Sequence, residues 1–262
     1  LVMNASVNVF GIDVKPTVEP VAYGVYASSS YVKLSTVNVD APGLVWGAGI
    51  AVSSDATVSY SSVTVGLAHA YRVDGSSNLF SYDYALSNGA SVAAVYLPGA
   101  SYSTFTVLVA SNPAGHAMLL DPGARYNYVS YSTLTTVSTA GNALRVVGSS
   151  YNVVAQSLIL NPAGYAASIR AQSSSNTITG SIARGATGTR AALFLATATY
   201  NTVVDSFLEN PQGHGVVIFS DADYNTIDRS TVTGDTSGGT AVFFTGRQSS
   251  NTITRTCLPS PA

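Results

Sequence analysis

An apolar side chain recurs two places after a repeated Asn-Thr-Ile/Val step, at Phe10, Leu34, Val58, Phe80, Phe105, Val129, Val154, Ile178, Val203, Ile227 and Ile253. The Asn positions of these steps fall at 8, 32, 56, 78, 103, 127, 152, 176, 201, 225 and 251, so successive copies lie 22 to 26 residues apart. A second apolar column stands seven places after each anchor, at Val39, Val63, Ala85, Ala110, Leu134, Ile159, Ala183, Leu208 and Val232, and fails only at Lys15 in the first copy. A third precedes the next anchor, with Val95/Leu97, Leu144/Val146, Leu193/Leu195 and Val217/Phe219 in phase and Met118/Leu120 and Val242/Phe244 displaced by one residue. Three short alternating runs per period predict three short strands per coil, each turning its apolar side inward. A fixed period in the twenties marks a solenoid, whose coils bury apolar surface only against their neighbours.

Turn formers separate the columns too often for helices. Asn112-Pro113-Ala114-Gly115, Asn161-Pro162-Ala163-Gly164 and Asn210-Pro211-Gln212-Gly213 recur every 49 residues, so coils alternate in two kinds. Gly supplies positive φ, Pro fixes its own φ, and Asn tolerates the left-handed region. Rungs about 4.8 Å apart make ten coils a rod of roughly 50 Å. Residues 1–53 are the least regular, with Pro16, Pro20, Pro42 and Trp46, and are expected to form irregular coils or a cap; residues 54–262 are expected to form one continuous domain of regular coils.

The Asn-Thr-Ile/Val step, the small polar residue at +5, the apolar residue at +7 and the Gly-(x)-apolar-x-apolar run before the next Asn resemble the right-handed parallel β-helix repeats of the pectin-lyase-like superfamily. The resemblance covers about Ser54 to Leu258. It implies an all-β, right-handed parallel β-helix (β-solenoid) of about ten coils of about 24 residues. The superfamily includes pectate lyases, polygalacturonases, alginate epimerases, phage tailspikes and surface adhesins, so the fold leaves the function open.

Composition agrees with strands and tight turns: charged residues are 9%, and the formal net charge is −2 without a block of one sign. No electrostatic footprint for nucleic acid is present, and no run approaches the roughly 18 apolar residues of a membrane helix. Nucleic acid and membrane insertion are therefore not expected. Cys257 is the single cysteine and cannot close an internal disulfide. Low charge with abundant Ser, Thr and Tyr leans towards an extracellular or cell-surface setting.

Several files of side chains follow from the period. The Asn column, Asn127, Asn152, Asn176, Asn201, Asn225 and Asn251, is expected to stack amide on amide, and Ser132, Ser157, Ser181, Ser206 and Ser230 form a second file. Tyr102, Tyr126, Tyr151, Tyr200 and Tyr224 stand just before the Asn, interrupted by Ser175. Stacked tyrosines stiffen a surface, and aromatic faces also hold sugar rings. Tyr126, Tyr151, Tyr200 and Tyr224 are thus the candidate ligand contacts.

Catalysis in the superfamily places Asp with Lys, Arg or calcium on one sheet. The candidates here are Asp205, Asp228, Arg229 and Arg255, which adjacent rungs bring within roughly 5–10 Å, with Glu209 nearby. A salt-bridge ladder is the preferred reading of them, because a catalytic set would also need an activated Lys or Arg base or a paired-carboxylate geometry, and the polygalacturonase pattern of Asn-x-Asp with a downstream Asp-Asp is absent. His116 and His214 are four rungs apart, roughly 19 Å, and cannot share a metal; no cofactor is expected. Asp221 and Asp223 are read as a solvated turn. The Thr column (Thr104, Thr177, Thr202, Thr226, Thr252) is too incomplete, with bulky Tyr beside it, for an ice or crystal surface.

The functional expectation is a non-catalytic extracellular β-solenoid, a stalk or adhesin-like segment, that binds glycans through its Tyr files. The alternative is a polysaccharide lyase, glycoside hydrolase or epimerase. Polysaccharide is the expected partner, and open coil ends invite end-to-end self-association.

Overall fold

The computed structural model describes residues 1–235 and 238–259. Among them the regular structure is strand throughout, in two sheets whose pairings are all parallel. One sheet, of 11 strands, collects the third strand of each coil from Val2–Met3 to Val242–Thr245; the other, of 19 strands, collects the first and second strands. The fold is a parallel β-helix, and its register is the sequence period. Phe80 pairs with Phe105, then Val129, Val154, Ile178, Val203, Ile227 and Ile253, one coil at a time. Parallel sheets wrapped on a shared interior bury these columns, and Phe80 and Phe105 stack at 4.8 Å inside it.

The first copy of the repeat is one residue out of the expected phase. Val9, not Phe10, pairs with Leu34, and Val14, not Lys15, pairs with Val39. Phe10 is 66% exposed. The anchor of that coil is therefore Val7 rather than Asn8, and the Lys15 anomaly disappears with the same shift. Burial decides the register here, because a one-residue slip turns every side chain to the other face. The two strands of these early coils merge into Asn8–Val14 and Lys33–Ala41, and the second of them continues the ladder onto Thr57–Ser59 and Ser62–Val65.

The third strand also differs from the expected phase. Val216 and Ile218 face inward rather than Val217 and Phe219, and they pair with Leu193 and Leu195. Met118 and Leu120 are in register with Val95 and Leu97. The one-residue displacement lies instead in the turn before the next anchor, where Asp121-Pro122-Gly123 absorbs the extra length.

Each coil bends at two left-handed corners. One is the residue before the anchor: Tyr31, Asp55, Ser77, Tyr102, Tyr126, Tyr151, Ser175, Tyr200, Tyr224 and Ser250 all have φ between 54° and 62°. The other is four places after it, where Gly11, Thr36, Tyr60, Tyr82, Val107, Tyr131, Gln156, Gly180, Asp205, Arg229 and Arg255 repeat the same conformation. Side chains with a Cβ adopt this region at a cost, so neighbouring interactions must hold it. The Asn ladder supplies them at the first corner. Asn127 Nδ2 donates to Asn152 Oδ1 at 2.9 Å, and Asn152, Asn176 and Asn201 each donate likewise to the next at 3.0 Å. The Ser file acts at the second corner, where Ser157, Ser181, Ser206 and Ser230 each accept the N–H of the Ser one coil earlier and Ser132 accepts that of Leu108.

The 49-residue alternation has its own buried cause. Asn112 Nδ2 donates to Gly89 O and Val92 O, Asn161 to Ser138 O and Gly141 O, and Asn210 to Thr187 O and Arg190 O. Ser87, Thr136 and Gly185 take this place in the coils between.

Candidate functional site

The Tyr file stands on the first left-handed corner, which aims each ring along the rod. Tyr102 stacks on Tyr126, Tyr126 on Tyr151, and Tyr200 on Tyr224, with centroids 5.0 Å apart and planes within 10°. Their faces are thus spent on one another, as in the stiffening ladder that the sequence offered beside sugar contacts. Free faces remain only where a file ends. Ser175 breaks it in the middle, so Tyr151 and Tyr200 face each other across a missing rung, roughly 10 Å apart at two strand spacings. The two rings are 50% and 57% exposed. A depression of about 270 Å³ opens beside the file, lined by Gly123, Arg125, Tyr126, Gly148, Ser150 and Tyr151. A further pair, Tyr60 and Tyr82, stacks at 4.9 Å on the second corner.

The charged candidates Asp205, Asp228, Arg229 and Arg255 do come together, as a closed ion-pair ladder. Arg229 Nε and Nη2 donate to the two Asp205 oxygens at 2.7 and 2.8 Å, and its Nη1 donates to Asp228 Oδ2 at 3.0 Å. Arg255 grips Asp228 through Nε at 2.9 Å and through Nη2, and Thr254 Oγ1 donates to the same carboxylate at 2.9 Å. Hydrogen bonding to Arg229 holds Asp205 below the usual carboxylate range, and Arg255 does the same for Asp228. Glu209 belongs elsewhere, paired with Arg184. A carboxylate held ionised by bidentate guanidinium bonds is a poor proton donor and a weak base. Asp223 accepts from the Ser249 backbone and hydroxyl, one coil further on.

The histidines share a structural role. Asn142 N–H donates to His116 Nδ1 at 2.9 Å and Thr240 N–H to His214 Nδ1 at 3.2 Å, while His69 Nδ1 lies between the Ala93 carbonyl oxygen at 2.9 Å and the Ala93 N–H at 3.2 Å. An accepting Nδ1 requires neutral imidazole, and burial lowers all three pKa values, that of His116 to about 4 with help from the Arg145 charge. Among the described residues no group of three His, Cys, Asp or Glu side chains is placed to hold a metal ion.

The sequence reading missed one cluster. Arg145 is the second residue of the third strand Leu144–Val147, Arg170 is the last of the next, Ala167–Arg170, and Arg190 stands in the turn before the one after, Ala191–Ala196. The Arg170 guanidinium lies 4.6 Å from the Phe194 ring centre and 5.2 Å from that of Tyr165, and Arg190 lies 4.9 Å from Tyr165. The signal was available, since Arg145 is seven places before Asn152 and Arg170 six before Asn176. Two arginines in neighbouring phases, with Arg190 eleven places before Asn201, stand out in a chain with 11 Lys and Arg.

No protein-family model matches the sequence, and no curated protein matches it. Solved structures match the fold. The Dettilon tailspike protein superposes with a TM-score of 0.58 at 14% identity over 97% of this chain, which spans 59% of that protein. Full-length tailspike protein 2 from the Escherichia coli bacteriophage CAB120 gives 0.62 at 12% identity over 79% of this chain and 33% of its own length. The A-module of the Azotobacter vinelandii mannuronan C-5 epimerase AlgE4 gives 0.53 at 13% identity, covering 98% of this chain and 90% of the module. The chain therefore has the parallel β-helix architecture seen in tailspikes and in this epimerase, and it spans from a third to three fifths of the two tailspikes.

Proposed function

We propose that the chain is a non-catalytic, extracellular β-solenoid, a stalk or adhesin-like segment, that binds polysaccharide by clasping one sugar ring between Tyr151 and Tyr200 above Ser175. The observation that carries this is the interrupted file. A guest ring midway across a gap of roughly 10 Å lies roughly 5 Å from each tyrosine, the spacing at which aromatic faces engage a partner. It is also the spacing at which these tyrosines engage one another. The neighbouring depression with Arg125 and the edges of Tyr126 and Tyr151 gives the polymer a path on one side of the clasp. The mannuronan epimerase among the fold neighbours acts, by its name, on a polysaccharide, which agrees with such a partner.

The alternative, a lyase, hydrolase or epimerase on the Asp205 face, is less well supported, because Asp205 and Asp228 are each satisfied by arginine. The deciding experiment presents the protein to a panel of acidic and neutral polysaccharides and follows both retention and the release of reducing ends or unsaturated products. Retention without turnover is expected, and Ser175→Tyr, which completes the file, is expected to abolish it while leaving the melting temperature unchanged or raised. Turnover lost on Asp228→Asn, or retention indifferent to Ser175→Tyr and Tyr200→Ala, overturns the reading.

A further inference from the structure

The three arginines on the outer side of the third-strand sheet have more donors than acceptors. None of Arg145, Arg170 and Arg190 takes part in the ion pairs found among the described residues. Arg145 Nε and Arg170 Nε are both buried without a hydrogen-bond partner. Arg145 Nη1 lies 3.0 Å from His116 Nε2, while His116 Nδ1 already faces the Asn142 N–H at 2.9 Å. A neutral imidazole carries a proton on one of its nitrogens and accepts only at the other, so these two donors cannot both be satisfied. One more acceptor is required there.

The space to receive it exists. A cavity of about 210 Å³ is lined by Arg145, Arg170 and Arg190 together with Tyr165, Thr139 and Asn142. Tyr165 and Phe194 fix the planes of the guanidinium groups by stacking, as cation–π geometry requires, so the fork-shaped donors are ordered before anything binds. The crowding has an electrostatic trace: burial, with the nearby charges of Arg145 and Arg190, lowers the pKa of Arg170. Buried charge is expensive unless paired, and arginine forks match oxyanions bidentately.

We propose that this cavity is an anion site that takes one tetrahedral oxyanion group, sulfate or phosphate, either free or carried as an ester on a saccharide. The site is built from the third-strand sheet and its preceding turn, not from the tyrosine corner, and it stands whether or not Tyr151 and Tyr200 hold a sugar.

Calorimetric titration of the whole chain with sodium sulfate and with sodium phosphate, at ionic strength held constant by chloride, tests it. Saturable binding is expected. Arg170→Gln and Arg190→Gln are each expected to weaken it by about tenfold or more, with melting in chloride unaltered, while Arg184→Gln, on another face, leaves it intact. In the wild type, sulfate should raise the His116 pKa, read by its imidazole proton shifts, because the anion offsets the arginine field. Dextran sulfate and unsubstituted dextran distinguish the sources. Tighter binding per sulfate with dextran sulfate assigns an ester, and no gain over the inorganic ion assigns the free anion. Absence of saturable binding by sulfate, phosphate and dextran sulfate, or binding that survives in the Arg170→Gln/Arg190→Gln double variant, overturns the proposal.

Discussion

Asn176 receives both the backbone N–H and the Nδ2 of Asn152 on one oxygen, at 3.0 Å each, and passes its own Nδ2 to Asn201 at 3.0 Å and to Ser149 O at 2.8 Å. Asn176→Ala therefore strands the buried Asn152 N–H, while Asn152 Nδ2 keeps Ala124 O at 2.9 Å and Ser149 O keeps the Ser174 N–H. The expected loss is about 1 to 3 kcal/mol, read as a lower urea midpoint. Asn251→Ala, at the part-buried end of the same ladder, should cost clearly less.

Val203 is 2% exposed in the middle of the shared core. Val203→Asp places a charge where no cation reaches it, and the chain should fail to fold cooperatively in a circular-dichroism melt. A folded variant would contradict the inward column itself.

Asp205 and Arg229 are exposed partners on the second corner, so their pair contributes little to stability. Asp205→Ala is expected to move the melting temperature by a few degrees at most. Polysaccharide retention should be unchanged, since the clasp lies on the other corner. Loss of retention with the fold intact would shift attention back to the charged face.

Two buried groups pull the pH dependence in opposite directions. Burial lowers His116 to about 4, so its contribution is complete above the unfolded value near 6.5 and is lost as pH falls from about 6.5 to 4. Asp83 sits where other coils carry Ser, and burial raises it to about 7, with Oδ2 unpartnered. Its contribution is complete below the unfolded value near 3.8 and is lost as pH rises to about 7. Wild-type melting should thus be nearly level between about pH 4 and 6.5. Asp83→Asn should expose the His116 slope, with stability rising with pH across that window. At pH 8 it should exceed the wild type by about 2 to 4 kcal/mol. A variant that follows the wild-type profile would remove Asp83 from the account.

The columns were legible because a parallel register repeats the same environment on every rung, as from Phe80 to Ile253. Legibility failed where one residue of slack could be hidden. At Phe10 and Lys15 two readings of the first repeat differ by a single step, and only burial against Leu34 and Val39 separates them. At Val217 and Phe219 the slack sits in a turn, so counting back from the next Asn gives the wrong face. The Tyr column was visible, but the choice between a stiffening ladder and sugar contacts was not, because ring orientation depends on the left-handed corner. The arginine cluster passed unnoticed because Arg145 and Arg170 stand in adjacent phases, so no single column holds both.

Coils that touch only their neighbours also fix how the rod responds to tension. The ladders run along its axis in series, so a pull applied to one terminus loads the outermost rung first and leaves the others unstrained. Each detached coil frees about 24 residues, roughly 80 Å of extended chain, in place of about 4.8 Å of rod. Extension under force should proceed as evenly spaced steps of that size, which lets the protein lengthen many times over while the remaining coils hold their shape.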